Sequence, residues 1–328
     1  MTPSELQEHV QAIATSRRIR NKIVVLCEGE RTPPETMGRR PSPQTYRRHE
    51  HWPDSSFYKK CIPRSWNNER LPCFFNCAGR STVLKTFEEL LLFHQQYPEH
   101  SYLDPDRLFA LVDVDIKGDA LPQEYHIPDT ETLHQTLYSG AQLRLNLDPQ
   151  HRIWVTALVH KEAYFLLPVV QSAFSKHHCE PVYKQRTFDL MAIHQDLVLP
   201  LTQTTNGRLT EEQRCFAGST SQRLSECPSF AGWSTSSCQA FAAAWLQALS
   251  QCSNQSLQPW NQLVETMLLV TKAKKVWKEV EPSPQSGWTK GPHAYRDELA
   301  AKVADEIARL SPAEHSLAGF FEYLRQFR

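Results

Sequence analysis

Three apolar runs in this 328-residue chain lead into carboxylates. Ile23–Val24–Val25–Leu26–Cys27 ends in Glu28–Gly29. Arg107–Leu108–Phe109–Ala110–Leu111–Val112 runs into Asp113–Val114–Asp115. Ile153–Trp154–Val155–Thr156–Ala157–Leu158–Val159 is followed by His160–Lys161–Glu162. Continuous apolar runs of strand length suit buried parallel strands. In parallel α/β sheets the functional groups gather at the carboxyl ends of the strands. Asp113 and Asp115 are two apart, so in extended chain they point to the same side. Carboxylates forced together repel unless a divalent cation neutralises them, and hard oxygen donors of this kind suit Mg²⁺ or Mn²⁺. Such ions are held by a few carboxylates plus water and phosphate oxygens, which points to phosphoryl chemistry. A single acid after a strand is ordinarily a solvated turn residue, and a D-x-D is weak alone. The ordered set of strand–Glu–Gly, helix and strand–Asp-x-Asp carries the argument.

The elements that must position these residues follow from periodicity. Residues 4–16 read as an amphipathic helix with Leu6, Val10 and Ile13 on one face. Leu71–Cys77 reads as a second strand. Residues 81–96 read as a helix with Ser81 as N-cap and an apolar face of Val83, Leu84, Phe87, Leu90 and Leu91. Helices are predicted over 130–145 and over AYFLLPVVQSAF after the fourth strand. Strands alternating with helices predict an α/β fold with a parallel β-sheet flanked by helices. Residues 200–236 are rich in Ser, Thr and Gln without a clear period. Helices are predicted over 238–250, 259–279 and 295–310. Ser311–Pro312–Ala313–Glu314 reads as a capping box opening a last helix. The expected organisation is a helical extension over 1–20, the α/β domain over 21–200 and a mostly helical region over 201–328.

Composition bounds the function. Lys+Arg and Asp+Glu number 36 each, which excludes a globally basic nucleic-acid coat. Charge is nevertheless uneven. From Arg17 to Arg48 there are nine Lys/Arg against three Asp/Glu, and residues 31–56 hold five prolines, so this stretch reads as a basic, Pro-rich insertion. Within it Arg39–Arg40 and Arg47–Arg48, interleaved with Tyr46 and Trp52, have the make-up of a phosphate-backbone contact loop. Nine scattered cysteines are no disulfide framework and fit a reducing cytoplasm. No apolar run reaches a membrane span, and the first residues read as no secretory signal. Neither a Walker A pattern nor a GxGxxG occurs.

Lesser candidates surround the acids. Lys117 and Lys161 flank the expected metal site and are candidate phosphate contacts, although exposed lysines are usually only solvated. Asp119 reads as a turn residue. Cys73 and Cys77 fall in an expected core strand. His177–His178–Cys179 lacks a fourth zinc ligand at a recognisable spacing, so core thiols are the expectation.

The set VVLCEG (24–29) and ALVDVD (110–115) resembles the Toprim domain of topoisomerases, DnaG-type primases and OLD-family nucleases. Over roughly residues 21–175 the resemblance implies a compact four-stranded parallel sheet. It also implies that Glu28 is an acid/base or metal ligand and that Asp113 and Asp115 hold Mg²⁺ or Mn²⁺. CEGERTPP, SFYKK, HKEAYFLLP and HAYRDELAAKVADEI are similar to segments of the OLD-like and RloB-like nucleases of prokaryotic defence systems. That likeness adds Glu162 to the metal set and Lys290, beside His293, as a catalytic lysine. It implies a cytoplasmic, metal-dependent nuclease acting on DNA or RNA. It further implies an ABC- or AAA-type ATPase partner, with an interface around Trp260 to Trp288. The alternative is a non-catalytic Toprim-fold binding or regulatory subunit of such a complex.

If the basic insertion tracks a phosphate backbone, replacing Arg39, Arg40, Arg47 and Arg48 flattens the salt dependence of nucleic-acid binding. The expected change is roughly one unit of log–log slope per lost contact. An unchanged slope in a filter-binding titration returns the segment to a solvated loop.

Overall fold

A computed structural model describes residues 1–29, 54–66, 71–123, 125–144, 147, 150–204, 206–216, 218, 221–225, 227, 237–252 and 257–327. Arg39, Arg40, Arg47 and Arg48 lie outside the described residues.

The apolar runs form strands β1 (Val24–Cys27), β2 (Cys73–Asn76) and β3 (Leu108–Val114). A small hairpin of β4 (Tyr138–Ser139) and β5 (Gln142–Leu143) precedes β6 (Ile153–Val159). The main sheet has the order β2-β1-β3-β6 and is parallel throughout. Every residue of β1, β3 and β6 is buried, which requires cover on both faces. Cys27 lies opposite both Asn76 and Leu111, so β1 and β2 end level while β3 runs three residues further, to Val114. Beyond β6 the chain builds a second sheet. β7 (Pro181–Tyr183) pairs antiparallel with β8 (Arg186–Thr187) and with β9 (Val280–Pro282).

The first helix, Pro3–Ala14, opens in a full capping box between Thr2 and Glu5, and Leu6, Val10 and Ile13 are buried as expected. Helix Arg80–Gln96 buries Val83, Leu84, Phe87 and Leu90, but Gly79, with no side chain to cap, stands where Ser81 was expected. The helix expected over 130–145 stops at Leu137. Gly140, at φ 59°, turns the chain into the β4–β5 hairpin, and the buried Tyr138 hydroxyl donates to the Val155 carbonyl at 2.8 Å. No single helix follows β6 either. Pro168 forces Leu167 into extended backbone and splits the segment into 3₁₀ turns Lys161–Leu166 and Pro168–Val170 and a short helix Ser172–Ser175.

The helix expected over 259–279 is two helices, Leu257–Leu268 and Lys274–Lys278. The Leu269 carbonyl freed at the break accepts from Arg223 at 3.0 Å. Ser311–Glu314 supplies only half of its box, from the Ser311 N–H to the Glu314 carboxylate at 2.8 Å. The last helix starts later, at Ser316, where His315 Nδ1 accepts from the Leu317 N–H. Burial holds His315 down at about 3, neutral as an acceptor must be.

The C-terminal helices close over the α/β core. Phe320 and Tyr323 sit 5.0 and 4.8 Å from the Trp154 ring of β6, and the Tyr323 hydroxyl donates to the His151 carbonyl at 3.0 Å. Trp260 and Trp288, placed in the expected partner interface, are partly buried and pack against this core. All nine cysteines are free; Cys77 is buried and Cys73 half-buried, as expected of core thiols. No helix among the described residues is long and apolar enough to cross a membrane.

Glu265 tests the interior. It is buried and accepts only from the neutral amides of Asn261, at 2.9 Å, and Gln142, at 3.2 Å. Burial pushes its carboxyl up to about 7. A folded-state pKa above the unfolded one favours the fold below the unfolded value, and that advantage disappears as pH rises through about 7. Glu265→Gln should therefore match the wild type at about pH 4, below the unfolded value, and exceed its stability at pH 8 by up to about 3 kcal/mol in urea denaturation. An equal difference at both pH values refutes this.

Candidate active site

At the carboxyl end of β1 the chain must leave the sheet beside the end of β2. Gly29 does this at φ 122°, exchanging two N–H···O bonds of 2.8 Å with Ala78. A Cβ at Gly29 would lie 3.1 Å from Asp54 Cβ and 3.2 Å from Asn76 Oδ1, so both the torsion and the close approach call for glycine. The buried Asn76 side chain takes the Ser55 N–H at 2.9 Å, tying the start of helix Asp54–Lys60 to β2.

This turn sets the Glu28 carboxylate against β3, where Oε1 accepts the Asp113 N–H at 2.9 Å. The pairing of β3 with β6 shifts register between Val112 and Val114, at Asp113 itself. Such irregularities re-aim a side chain. Thr156 takes the displaced Val114 N–H at 2.9 Å. Asp113 Oδ1 accepts from the buried Tyr58 hydroxyl at 3.2 Å, and Oδ2 lies 3.5 Å from His160 Nδ1. His160 follows β6 at φ 63°, a conformation rare outside glycine and frequent at functional sites. Its other nitrogen is 3.8 Å from Asp115 Oδ1, so one imidazole stands between the two aspartates.

Asp115 is held by groups of its own. Oδ1 accepts the Ile116 N–H at 2.7 Å and the Lys272 ammonium at 3.1 Å, and Lys272 also meets Glu211 at 3.0 Å. The Asp115 carbonyl accepts from Arg223 at 2.6 Å. Arg223 is buried and paired with Glu131 at 2.6 Å.

A cleft of about 530 Å³ opens over this edge. Its lining includes Glu28, Asp113, His160, Lys161 and Glu162. Asp115 is not in that lining, because Lys272 and Ile116 draw it to the far side of His160. Among the described residues, the one trio of His, Cys, Asp or Glu whose ligand atoms come within 4.8 Å of one another is elsewhere, at His177, His178 and Cys179. The expected triad is thus gathered at one sheet edge but not drawn into mutual contact.

Lys161 lines the cleft in an ion pair with Asp54. Lys117 is exposed and stands 3.9 Å from Glu211. Lys290 is exposed, packs its ammonium over Trp288 and is not among the residues that line the cleft. The cleft cations besides Lys161 are Lys274, Lys278 and Arg296. His293, Arg296, Asp297 and Ala300 reach the cleft at helical spacing from helix Pro292–Ile307. Asp119 pairs with Arg80, whose other nitrogen donates to the Asp113 carbonyl at 3.2 Å.

Protonation follows from this packing. Burial, then the charge of Asp113, pushes Glu28 up to about 7, against the Asp113 N–H and the Arg80 charge. Burial opposes ionisation of Asp115, yet Lys272 and the Ile116 N–H outweigh it and hold its carboxyl below the usual range. Burial likewise works against a charged His160, but its contact with Asp113 prevails and raises it. The site therefore combines a near-neutral carboxyl with a carboxylate held ionised, a pattern that suits proton transfer.

His160, Tyr58, Arg80, Lys272 and Arg223 were not among the candidates read from sequence. His160 alone had a signal, since it follows a predicted strand as directly as Glu28 does. The rest reach the site through contacts across long stretches of chain. Compared with family models, curated proteins and solved structures, the chain matches none.

Arg223 makes the sharpest structural test. Arg223→Met leaves Glu131 buried without its cation and should cost roughly 3–5 kcal/mol. The double variant with Glu131→Leu should recover most of that loss. A single variant within 1 kcal/mol of wild type in urea denaturation, on the order of a surface change, contradicts the buried pair.

Proposed function

We propose that this protein is a Toprim-like, metal-dependent nuclease that cleaves phosphodiester bonds in DNA or RNA. The observation that carries the reading is the Glu28 carboxylate, just past the end of β1, bound to the Asp113 N–H of the adjacent parallel strand β3, in a cleft also lined by Lys161, Lys274, Lys278 and Arg296. The donor set fits Mg²⁺ or Mn²⁺. Its ligand atoms are hard carboxylate oxygens; burial first, and then the Asp113 charge, oppose ionisation of Glu28, and a divalent cation would offset both. Glu28, Asp113 and Glu162, which line the cleft, are the residues that would hold it, and Asp115 would join them by exchanging Lys272 for the ion. When bound, such an ion polarises a phosphoryl oxygen and acidifies water.

The chain's own residues do the rest. The cleft cations orient the phosphate backbone and offset its charge. Glu28 is the carboxylate placed to take a proton from water and return it to the leaving oxygen. His160 and Tyr58 keep the Asp113 carboxylate aimed. In this reading the chain serves a prokaryotic anti-phage system and takes its nucleotide-driven control from an ABC- or AAA-type ATPase.

One observation favours the non-catalytic alternative. Lys272 already satisfies Asp115 from within the protein, as a site kept only for its fold would require.

Asp113→Asn and Glu28→Gln separate the two. Asparagine keeps an acceptor for Tyr58, so folding should survive, while plasmid, single-stranded DNA or tRNA cleavage in Mg²⁺ or Mn²⁺ should fall by orders of magnitude. Wild type should gain thermal stability from Mn²⁺ and the variants should not. Full cleavage in both variants sinks the catalytic assignment. No cleavage and no Mn²⁺ shift in wild type favours the scaffold.

A further inference from the structure

Three consecutive residues after the 3₁₀ segments, His177, His178 and Cys179, place one ligand atom each within 4.8 Å of one another. The sequence offered no fourth ligand at a recognisable spacing. The fold brings one, since helix Pro292–Ile307 packs against this segment and sets Glu298 Oε1 3.5 Å from His177 Nε2. We propose that His177, His178, Cys179 and Glu298 form a structural site for one Zn²⁺.

Four features support it. The set of two imidazoles, a thiol and a carboxylate has the number and softness that tetrahedral zinc prefers. The His177 side chain is fully buried, yet its Nε2 makes no hydrogen bond. His177 Nδ1 lies 2.9 Å from the Cys179 carbonyl. The Cys179 N–H also points at Nδ1, at 3.1 Å. The tautomer in which Nδ1 donates to the carbonyl instead leaves the lone pair on Nε2 and fixes the ring, as metal-bound histidines require, so zinc binding selects it. The surroundings are also rigid. Trp288 packs its ring 5.9 Å from His177 and 6.0 Å from His178, and the Tyr295 hydroxyl donates to the Cys179 carbonyl at 2.8 Å.

Zinc bonds of about 2.0–2.3 Å put tetrahedral ligands roughly 3.5 Å apart, so the trio closes by a shift on the order of 1 Å, while Glu298, which approaches His177, swings further to meet the ion. His178, exposed but stacked on the His177 ring at 4.6 Å, is the ligand that must turn towards the ion. On binding, the Cys179 S–H bond breaks, a sulfur–zinc bond forms and the proton goes to solvent. The ion then ties the β7 segment to the helix that carries His293, Arg296 and Asp297 into the cleft. The site shares no residue with the cleft, so it stands or falls independently of the nuclease reading.

The test uses the full chain, stripped with a chelator and titrated with Co²⁺ and then Zn²⁺. The expected result is one equivalent bound, a thiolate-to-cobalt charge-transfer band in the near ultraviolet, and displacement by Zn²⁺. Cys179→Ser should abolish the band. His178→Ala, at an exposed position that folding tolerates, should weaken binding at least tenfold, on the order seen when zinc-site groups are removed. Asp113→Asn should leave the band unchanged. The proposal is overturned if wild type gives no thiolate band, or if Cys179→Ser and His178→Ala bind as tightly as wild type.

Discussion

Two carboxylates, Glu28 and Asp113, share the carboxyl edge of the sheet, and each must be satisfied there or push the other towards protonation. The bond from the Asp113 N–H to Glu28 is the local solution. It holds the negative end of one side chain on the backbone of the other. Much else near the edge serves that contact. The parallel register of β1 and β3, with Cys27 beside Leu111, brings Glu28 out alongside the last residues of β3. Gly29 turns the chain away without a Cβ where Asp54 and Asn76 crowd it. The register shift at Asp113 turns its side chain towards Tyr58 and His160. Without these supports, burial of the pair would favour a neutral Glu28 over much of the physiological range.

The strands, and with them the acids, were legible because apolar runs of strand length are a one-dimensional signal. β1, β3 and β6 lie where the runs lie, and the acids sit at their carboxyl ends. The helices over 130–145 and after β6 were overrun because apolar content does not distinguish a helix from other buried backbone. Gly140 and Pro168 were visible in both, and each ended regular structure within its segment. Asp115 was placed correctly along the chain and incompletely in space. An i, i+2 spacing fixes direction in an extended strand, but β3 ends at Val114, so Asp115 is free to follow Lys272.

Apart from Lys161, the cations were the part that sequence could not supply. Arg80 meets Asp113 from 33 residues away, and Arg223 meets Asp115 from 108. Neither pairing has a periodicity to betray it. Lys290 was chosen by analogy of position along the chain. The residues that do line the cleft beyond it are spaced as one helical face, a pattern that becomes informative only once the helix is known to lean over the sheet.

Those long-range cations also bear on how the chain is divided. Asp115 depends on Lys272 and Arg223 for its side chain and its carbonyl, and Lys272 is shared with Glu211. All three partners lie beyond residue 200, in the segment that sequence set apart as a helical C-terminal region. The cleft is likewise walled by Lys274, Lys278 and Arg296 from that segment. A buried arginine with its carboxylate partner is stable only when both are enclosed together, since either alone would carry an uncompensated charge into the interior. Arg223 and Glu131 come from opposite sides of the supposed boundary and are both buried. The acidic edge and the C-terminal helices therefore order together, and the chemistry of the edge is a property of the whole described chain.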